Sequence, residues 1–215
     1  MIVYWVLLLI IAFFAYNIGS ISTLSIASHY VFHRDLHRIG KKSMFISNFR
    51  RLFGWVGFAK LLGVELARDF IPVLLGGALL AIKHHADVGF AFAGFCLVLG
   101  RLFPVFNRFR GSCASICLIV AMLCVNFSLG IITAVFVIAA TFLTRYLSVG
   151  AMAGAVGAII VSILVLDLPI LRIVCILTAA IVLIRHIPSI RRISEKKELR
   201  MSLEEDISYK FEELF

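Results

Sequence analysis

Charge is what this sequence has least of. Only 15% of its 215 residues are Asp, Glu, Lys or Arg, against about 25% in ordinary soluble domains. Acidic residues are the scarcer sign, 12 against 21 basic, and proline occurs only four times. The remainder is 62% hydrophobic with a mean hydropathy of +1.05, where about 45–50% apolar is usual. No soluble core of this size hides that much apolar surface, so a soluble enzyme and a disordered chain are both excluded. Cysteine is also sparse. Cys96, Cys113, Cys117, Cys124 and Cys175 form no CxxC pair, have no histidine beside them and lie in or next to apolar runs. They read as packing residues rather than as a disulfide scaffold or metal ligands. No metal or other cofactor is expected.

What the chain does have is long apolar runs. A helix needs about 20 apolar residues to cross a hydrocarbon core about 30 Å thick. Val3–Ile26, Leu52–Ile82, Val88–Phe106, Val149–Leu166 and Ile170–Ile184 each meet that need or come close to it. The first has no basic n-region or cleavage site and reads as a retained helix. Ala114–Thr144 carries no charge over 31 residues, about 46 Å as helix. That is too long for one crossing and enough for two short ones, hinged around Asn126-Phe127-Ser128-Leu129-Gly130. The expectation is an all-α, polytopic membrane bundle of seven transmembrane helices over residues 1–193, followed by a tail at 194–215.

Charge placement fits that count. Arg34, Arg38, Lys41, Lys42, Arg50 and Arg51 fall in the first loop, and Arg101, Arg108 and Arg110 in the third. Arg145 falls in the fifth, and Arg185, Arg191, Arg192, Lys196, Lys197, Arg200 and Lys210 in the tail. With seven spans, these seventeen of the 21 cations share one face of the membrane. The positive-inside rule then makes that face cytoplasmic, puts the amino terminus outside and puts the carboxyl terminus in the cytoplasm. The placement of the excess charge of +9 therefore points to a membrane surface rather than to nucleic acid.

Some residues ask for partners. Glu65, Arg68 and Asp69 share one helix face inside an apolar run, ahead of Pro72, which is expected to bend the helix. They are either a polar site or, as favoured, an internal ion pair that locks the bundle. Gly40-Lys41-Lys42-Ser43 with Ser47, Asn48 and Arg51, then Arg108-Phe109-Arg110-Gly111-Ser112, then Arg185-His186-Ile187-Pro188-Ser189-Ile190-Arg191-Arg192 make three cationic stretches. On one membrane face they either grip a phosphorylated amphiphile or anchor the protein to anionic headgroups. His186 is either a general base or an incidental interfacial histidine. Gly150, Ala151, Gly154, Ala155 and Gly157 give the sixth span a small-residue face suited to tight helix packing. In the tail, Ser202 and Glu205 stand in capping-box spacing ahead of Ile207, Phe211 and Leu214. That pattern reads as an acidic amphipathic helix near the membrane or on a protein partner, or as a frayed end.

Six ordered segments, read together, resemble a family. Gly19-Ser20-Ile21 is similar to a GSIP start, and Asp35 through Arg51 to DIRxxGSGNxGATNxxR. Glu65, Arg68 and Pro72 match DLLKGxxP, and Gly100 through Phe106 with Phe109-Arg110-Gly111 resemble GHxxPVFxxFKGGKG. Thr144-Arg145-Tyr146-Leu147-Ser148 is similar to TRYxS, and Arg185-His186 through Glu198 to RHxxNIxR with its later Glu. These are the motifs of the bacterial acyl-phosphate:glycerol-3-phosphate acyltransferases, the PlsY family.

The resemblance implies a multi-pass protein of the bacterial inner (plasma) membrane, acting in phospholipid biosynthesis. Such an enzyme moves a fatty acyl group from acyl phosphate to the 1-hydroxyl of glycerol 3-phosphate, among membrane lipid and without metal or cofactor. Carried onto this chain, it makes His186, Ser189 and Arg51 the catalytic group. Lys41, Lys42, Ser47, Asn48, Arg101, Arg110, Ser112 and Arg145 become the substrate- and phosphate-binding set.

The chain departs from the motifs where phosphate would sit. GSGN is Gly40-Lys41-Lys42-Ser43, and GGKG is Gly111-Ser112-Cys113-Ala114. The asparagine of the last motif is Ser189, and the histidine after Gly100 is Arg101. Cys113, at the lysine position, is either an acyl-accepting thiol or, as favoured, a packing residue. Two functions follow: an acyltransferase with reshaped phosphate loops, or an inactive, repurposed descendant that binds lipid or scaffolds a membrane complex.

Overall fold

The computed structural model describes residues 2–23, 26, 46–107, 109 and 111–195, with the side chains of 46–53 excepted. Among these there are seven α-helices and no strand: α1 Ile2–Ser20, α2 Ile46–Ala81, α3 Ala86–Leu102, α4 Ser115–Val125, α5 Phe127–Thr144, α6 Leu147–Val165 and α7 Pro169–Ser194. A 3-10 turn at Val105–Asn107 follows α3. Five helices are long and apolar enough to cross a membrane: α1, α3 with its 3-10 extension, α5, α6 and α7. Their outer faces are apolar, as at Trp5, Leu9 and Phe13 on α1 or Phe142 and Leu143 on α5. With no water to serve them, buried hydroxyls turn back on their own helices. Thr133, Ser162 and Thr178 donate to the carbonyls four residues earlier at 2.6–2.7 Å.

The helices differ from the apolar runs at several ends. α1 stops at Ser20 although apolar residues continue to Ile26. α3 stops at Leu102 because Pro104 follows and the residue before a proline is pushed out of helical geometry. α7 runs past the apolar run to Ser194. α2 starts before its apolar run and is really two pieces, since Gly54 sits at φ 67°, ψ −173°, a region open to glycine. That break, rather than Pro72, is where helical backbone angles are lost within α2.

The hinge expected in the uncharged run falls at Asn126, which is extended (φ −154°, ψ 129°) and ends α4 while capping α5. Its Oδ1 accepts from the Leu129 N–H at 3.2 Å. α4 is left with 11 residues, about 16 Å of helix.

α3 is the central helix, packed by α1, α2, α4 and α7, with Leu97, Val98 and Leu102 fully enclosed. α1 and α3 cross through glycines. A Cβ on Gly19 would lie 2.3 Å from the Leu97 carbonyl oxygen, and one on Gly100 would lie 2.2 Å from that of Tyr16. The small face of α6 packs on α5, where Gly154 leaves room for Val137. Packing is therefore what that face does.

Candidate active site

One end of the bundle gathers the ends of α1, α3 and α5 and the starts of α4 and α6. The C-terminus of α3 is its centre. Three successive carbonyls there take donors from three other parts of the chain. The Arg101 oxygen accepts from the Ser112 N–H at 3.4 Å. The Leu102 oxygen accepts from Arg185 Nε at 3.4 Å. The Phe103 oxygen accepts from the Tyr16 hydroxyl at 2.8 Å. Arg185 also lies over the Phe103 ring, 5.9 Å from its centroid. Gly111 packs so closely that a Cβ there would stand 2.1 Å from the Leu102 oxygen. The Cys113 thiol reaches Ser115 Oγ at 3.7 Å and the Leu147 carbonyl at 3.8 Å, which ties the loop to the start of α6.

Beneath this knot lie four buried charges. Glu65 is 1% exposed and Arg101 6%. Glu65 Oε1 accepts from Arg101 Nη2. Arg68 pairs instead with its neighbour, Asp69 Oδ1 accepting from Nε and Nη2. An internal ion pair was the favoured expectation for the cluster, and pairing is what is found. Glu65 finds its partner on α3 rather than on its own helix. Arg68 turns toward α1, where Nη1 donates to the Ile21 carbonyl and to Thr23 Oγ1, both at 2.9 Å. Arg101 Nη1 donates to the same Thr23 oxygen at 3.1 Å, and its Nε to the Cys113 carbonyl at 3.4 Å.

Of the residues singled out in the sequence, Arg101, Ser112, Arg145 and His186 share this end. Ser112 is exposed beside Arg101. Arg145 is exposed in left-handed geometry (φ 61°), where its N–H donates to the Thr141 carbonyl at 2.8 Å and closes α5. His186 and Ser189 lie three apart on α7 and are both buried. His186 Nδ1 is 2.8 Å from the Val182 carbonyl. That oxygen only accepts, so the hydrogen bond needs a proton on Nδ1. Ser189 Oγ accepts from Arg192 Nη2 at 2.9 Å. Arg101, expected among the phosphate ligands, has its guanidinium engaged by Glu65, Thr23 and Cys113 below the surface. Lys41, Lys42 and Arg110, and the side chains of Ser47, Asn48 and Arg51, lie outside the described residues, as does the tail from 196.

Burial pushes the Cys113 thiol above the ordinary thiol range, against the opposing pull of its Ser115 contacts. A protonated, packed thiol is a poor nucleophile. The contacts of the thiol with Ser115 and Leu147 support the packing reading of Cys113. Together with Arg185 of the third cationic stretch, Thr23 and Tyr16 also shape this site without having been singled out. Arg185 was recognisable beside His186, whereas nothing in the local sequence marks the other two.

A sequence profile of the glycerol-3-phosphate acyltransferase family matches residues 9–196. The chain belongs to that family. A glycerol-3-phosphate acyltransferase of Bacillus cytotoxicus is 32% identical over 193 residues, covering 89% of this chain and 92% of its own length. One from Thermoanaerobacter sp. is 24% identical over 196 residues, covering 91% and 96%. The fold is similar to the crystal structure of PlsY, an integral membrane glycerol 3-phosphate acyltransferase, in its glycerol 3-phosphate form. The TM-score is 0.72 at 22% identity, over 97% of this chain and 98% of that one. Family membership favours the acyltransferase reading over the inactive scaffold.

Proposed function

We propose that this chain is a membrane glycerol-3-phosphate acyltransferase that moves an acyl group from acyl phosphate to a hydroxyl of glycerol 3-phosphate. The observation that carries the proposal is the gathering of Arg185-His186, Arg101 and Gly111-Ser112 around one helix end. His186 Nε2 takes the proton as the acceptor hydroxyl attacks the acyl carbon. The C–O bond to phosphate then breaks, and inorganic phosphate leaves as the ester forms. Arg51, Lys41, Lys42 and Arg110 hold the phosphate groups, with Arg145 on the rim. Ser47, Asn48 and Ser112 orient the substrates, and Ser189 steadies the hydroxyl beside His186. Arg101, already committed to Glu65, acts through the loop it holds. The acyl chain lies in a groove between helices, and no metal takes part.

In this reading α2 and the α4 segment also span, giving seven crossings of a bacterial inner membrane with the amino terminus outside and the carboxyl terminus cytoplasmic. The exposed apolar faces of the helices and the one-sided cations support that placement. The acidic tail serves as a docking element for a partner or the membrane surface.

The test is phosphate release by the purified chain in detergent, supplied with acyl phosphate and glycerol 3-phosphate. His186→Ala should lower turnover roughly 10²–10⁴-fold, and Arg51→Ala should raise KM for glycerol 3-phosphate. Wild-type protein that is folded yet releases no phosphate with any polar acceptor would refute the proposal.

A further inference from the structure

The ion pairs under the site are not arranged as simple charge pairs. Two arginines and two carboxylates, all buried, sum to zero charge. An arginine set only to neutralise a carboxylate favours two parallel bonds to its two oxygens. Here each carboxylate engages its arginine through one oxygen, and Glu65 Oε2 and Asp69 Oδ2 have no hydrogen-bond partner among the described residues. The other guanidinium donors go to backbone and hydroxyl oxygens at the roots of two loops. Both arginines converge on Thr23 Oγ1, at the entry to the first cationic loop. Arg101 also reaches the Cys113 carbonyl, in the second loop, while its own carbonyl takes the Ser112 N–H.

Resting on the acyltransferase reading above, we infer that Glu65 and Arg101 are positioning residues that fix the 111–114 loop, which carries Ser112 of the proposed site, against the Thr23 segment after α1. Glu65 fixes the plane of the Arg101 guanidinium, and that guanidinium spans the gap between Thr23 and Cys113. Lysine at position 101 would keep the charge and the attraction to Glu65. It offers a single nitrogen with no rigid fork, so it cannot serve Glu65, Thr23 and Cys113 together. Charge and geometry are thereby separable.

The experiment uses full-length Arg101→Lys and Glu65→Gln in detergent. The rate of maleimide addition is read for each cysteine by peptide mass spectrometry, beside thermal unfolding and acyl-transfer kinetics. In Arg101→Lys, Cys113 should react about tenfold faster or more as its loop loosens, while Cys96, Cys117, Cys124 and Cys175 and the melting temperature stay as in wild type. KM for glycerol 3-phosphate should rise about tenfold with a smaller change in kcat. Glu65→Gln should loosen Cys113 in the same way if it folds, and the lysine variant decides if it does not. Unchanged Cys113 labelling in Arg101→Lys would overturn the inference. So would a rise shared by all five cysteines together with a lower melting temperature, since that is general destabilisation. Wild-type protein with no turnover would defeat the acyltransferase reading, and the labelling comparison would still judge the role of Arg101.

Discussion

Replacing Gly100 by alanine adds one methyl group at the crossing of α1 and α3. The new Cβ would stand 2.2 Å from the Tyr16 carbonyl oxygen and 3.1 Å from the Ser20 nitrogen. Both are backbone atoms, so no side chain can swing aside to make room. The two helices would have to part by about 1 Å, which opens a close-packed seam along its whole length. Overpacking of this kind costs about 2–3 kcal/mol, or roughly 5–10 °C in melting temperature for a chain of this size.

Gly63 supplies the control. It lies within α2, and a Cβ there meets nothing within 4 Å. Alanine at that position should be neutral or stabilising by about 0.5–1 kcal/mol, because it removes backbone freedom from the unfolded helix. The assay is thermal unfolding of both purified variants in the same detergent. Gly100→Ala should also lose turnover at temperatures where it is still folded, since the crossing carries Thr23 to Arg101. If Gly100→Ala melts with the wild type, or Gly63→Ala melts as low as Gly100→Ala, the seam is not what sets the approach of these helices.

Two further outcomes follow from the geometry. Asn126→Ala removes the side-chain acceptor for the Leu129 N–H and should cost about 1 kcal/mol, seen as faster deuterium exchange in the first turn of α5 with α6 unaffected. Alkylation of Cys113 should be slow near neutrality and still climbing past pH 9, the ordinary thiol value, because burial favours the protonated form and only the thiolate reacts. A rate that levels off at lower pH would show a thiol that burial does not control.

Much of the fold was legible because lipid imposes a simple rule on sequence. Apolar runs without charge read as helices, and an uncharged run of 31 residues is too long for one crossing, which places a break within Asn126–Gly130. Boundaries were less legible where short-range effects decide them. Pro104 cut α3 short, and Gly54 divided a helix that hydropathy reads as continuous. The pairing of Glu65 was hidden for a different reason. Helical spacing offers Arg68 as its neighbour, but the partner actually used is 36 positions along the chain. Nothing local says that Arg68 turns to Thr23 instead. For the site, the motifs singled out Arg101, Ser112, Arg145 and His186, which the structure brings to one end of the bundle. They did not reveal that Arg101 faces inward, because side-chain direction depends on what fills the space beneath.

The carbonyl end of a helix carries a partial negative charge, which an incoming phosphate would feel as repulsion. At the end of α3 that charge is already answered by the Tyr16 hydroxyl, the Ser112 amide and the Arg185 guanidinium. The protein has thus muted the one pole of its central helix that would oppose an anionic substrate. An anion arriving there, as the proposed function requires, would meet capped carbonyls and the Arg185 guanidinium rather than a row of bare oxygens.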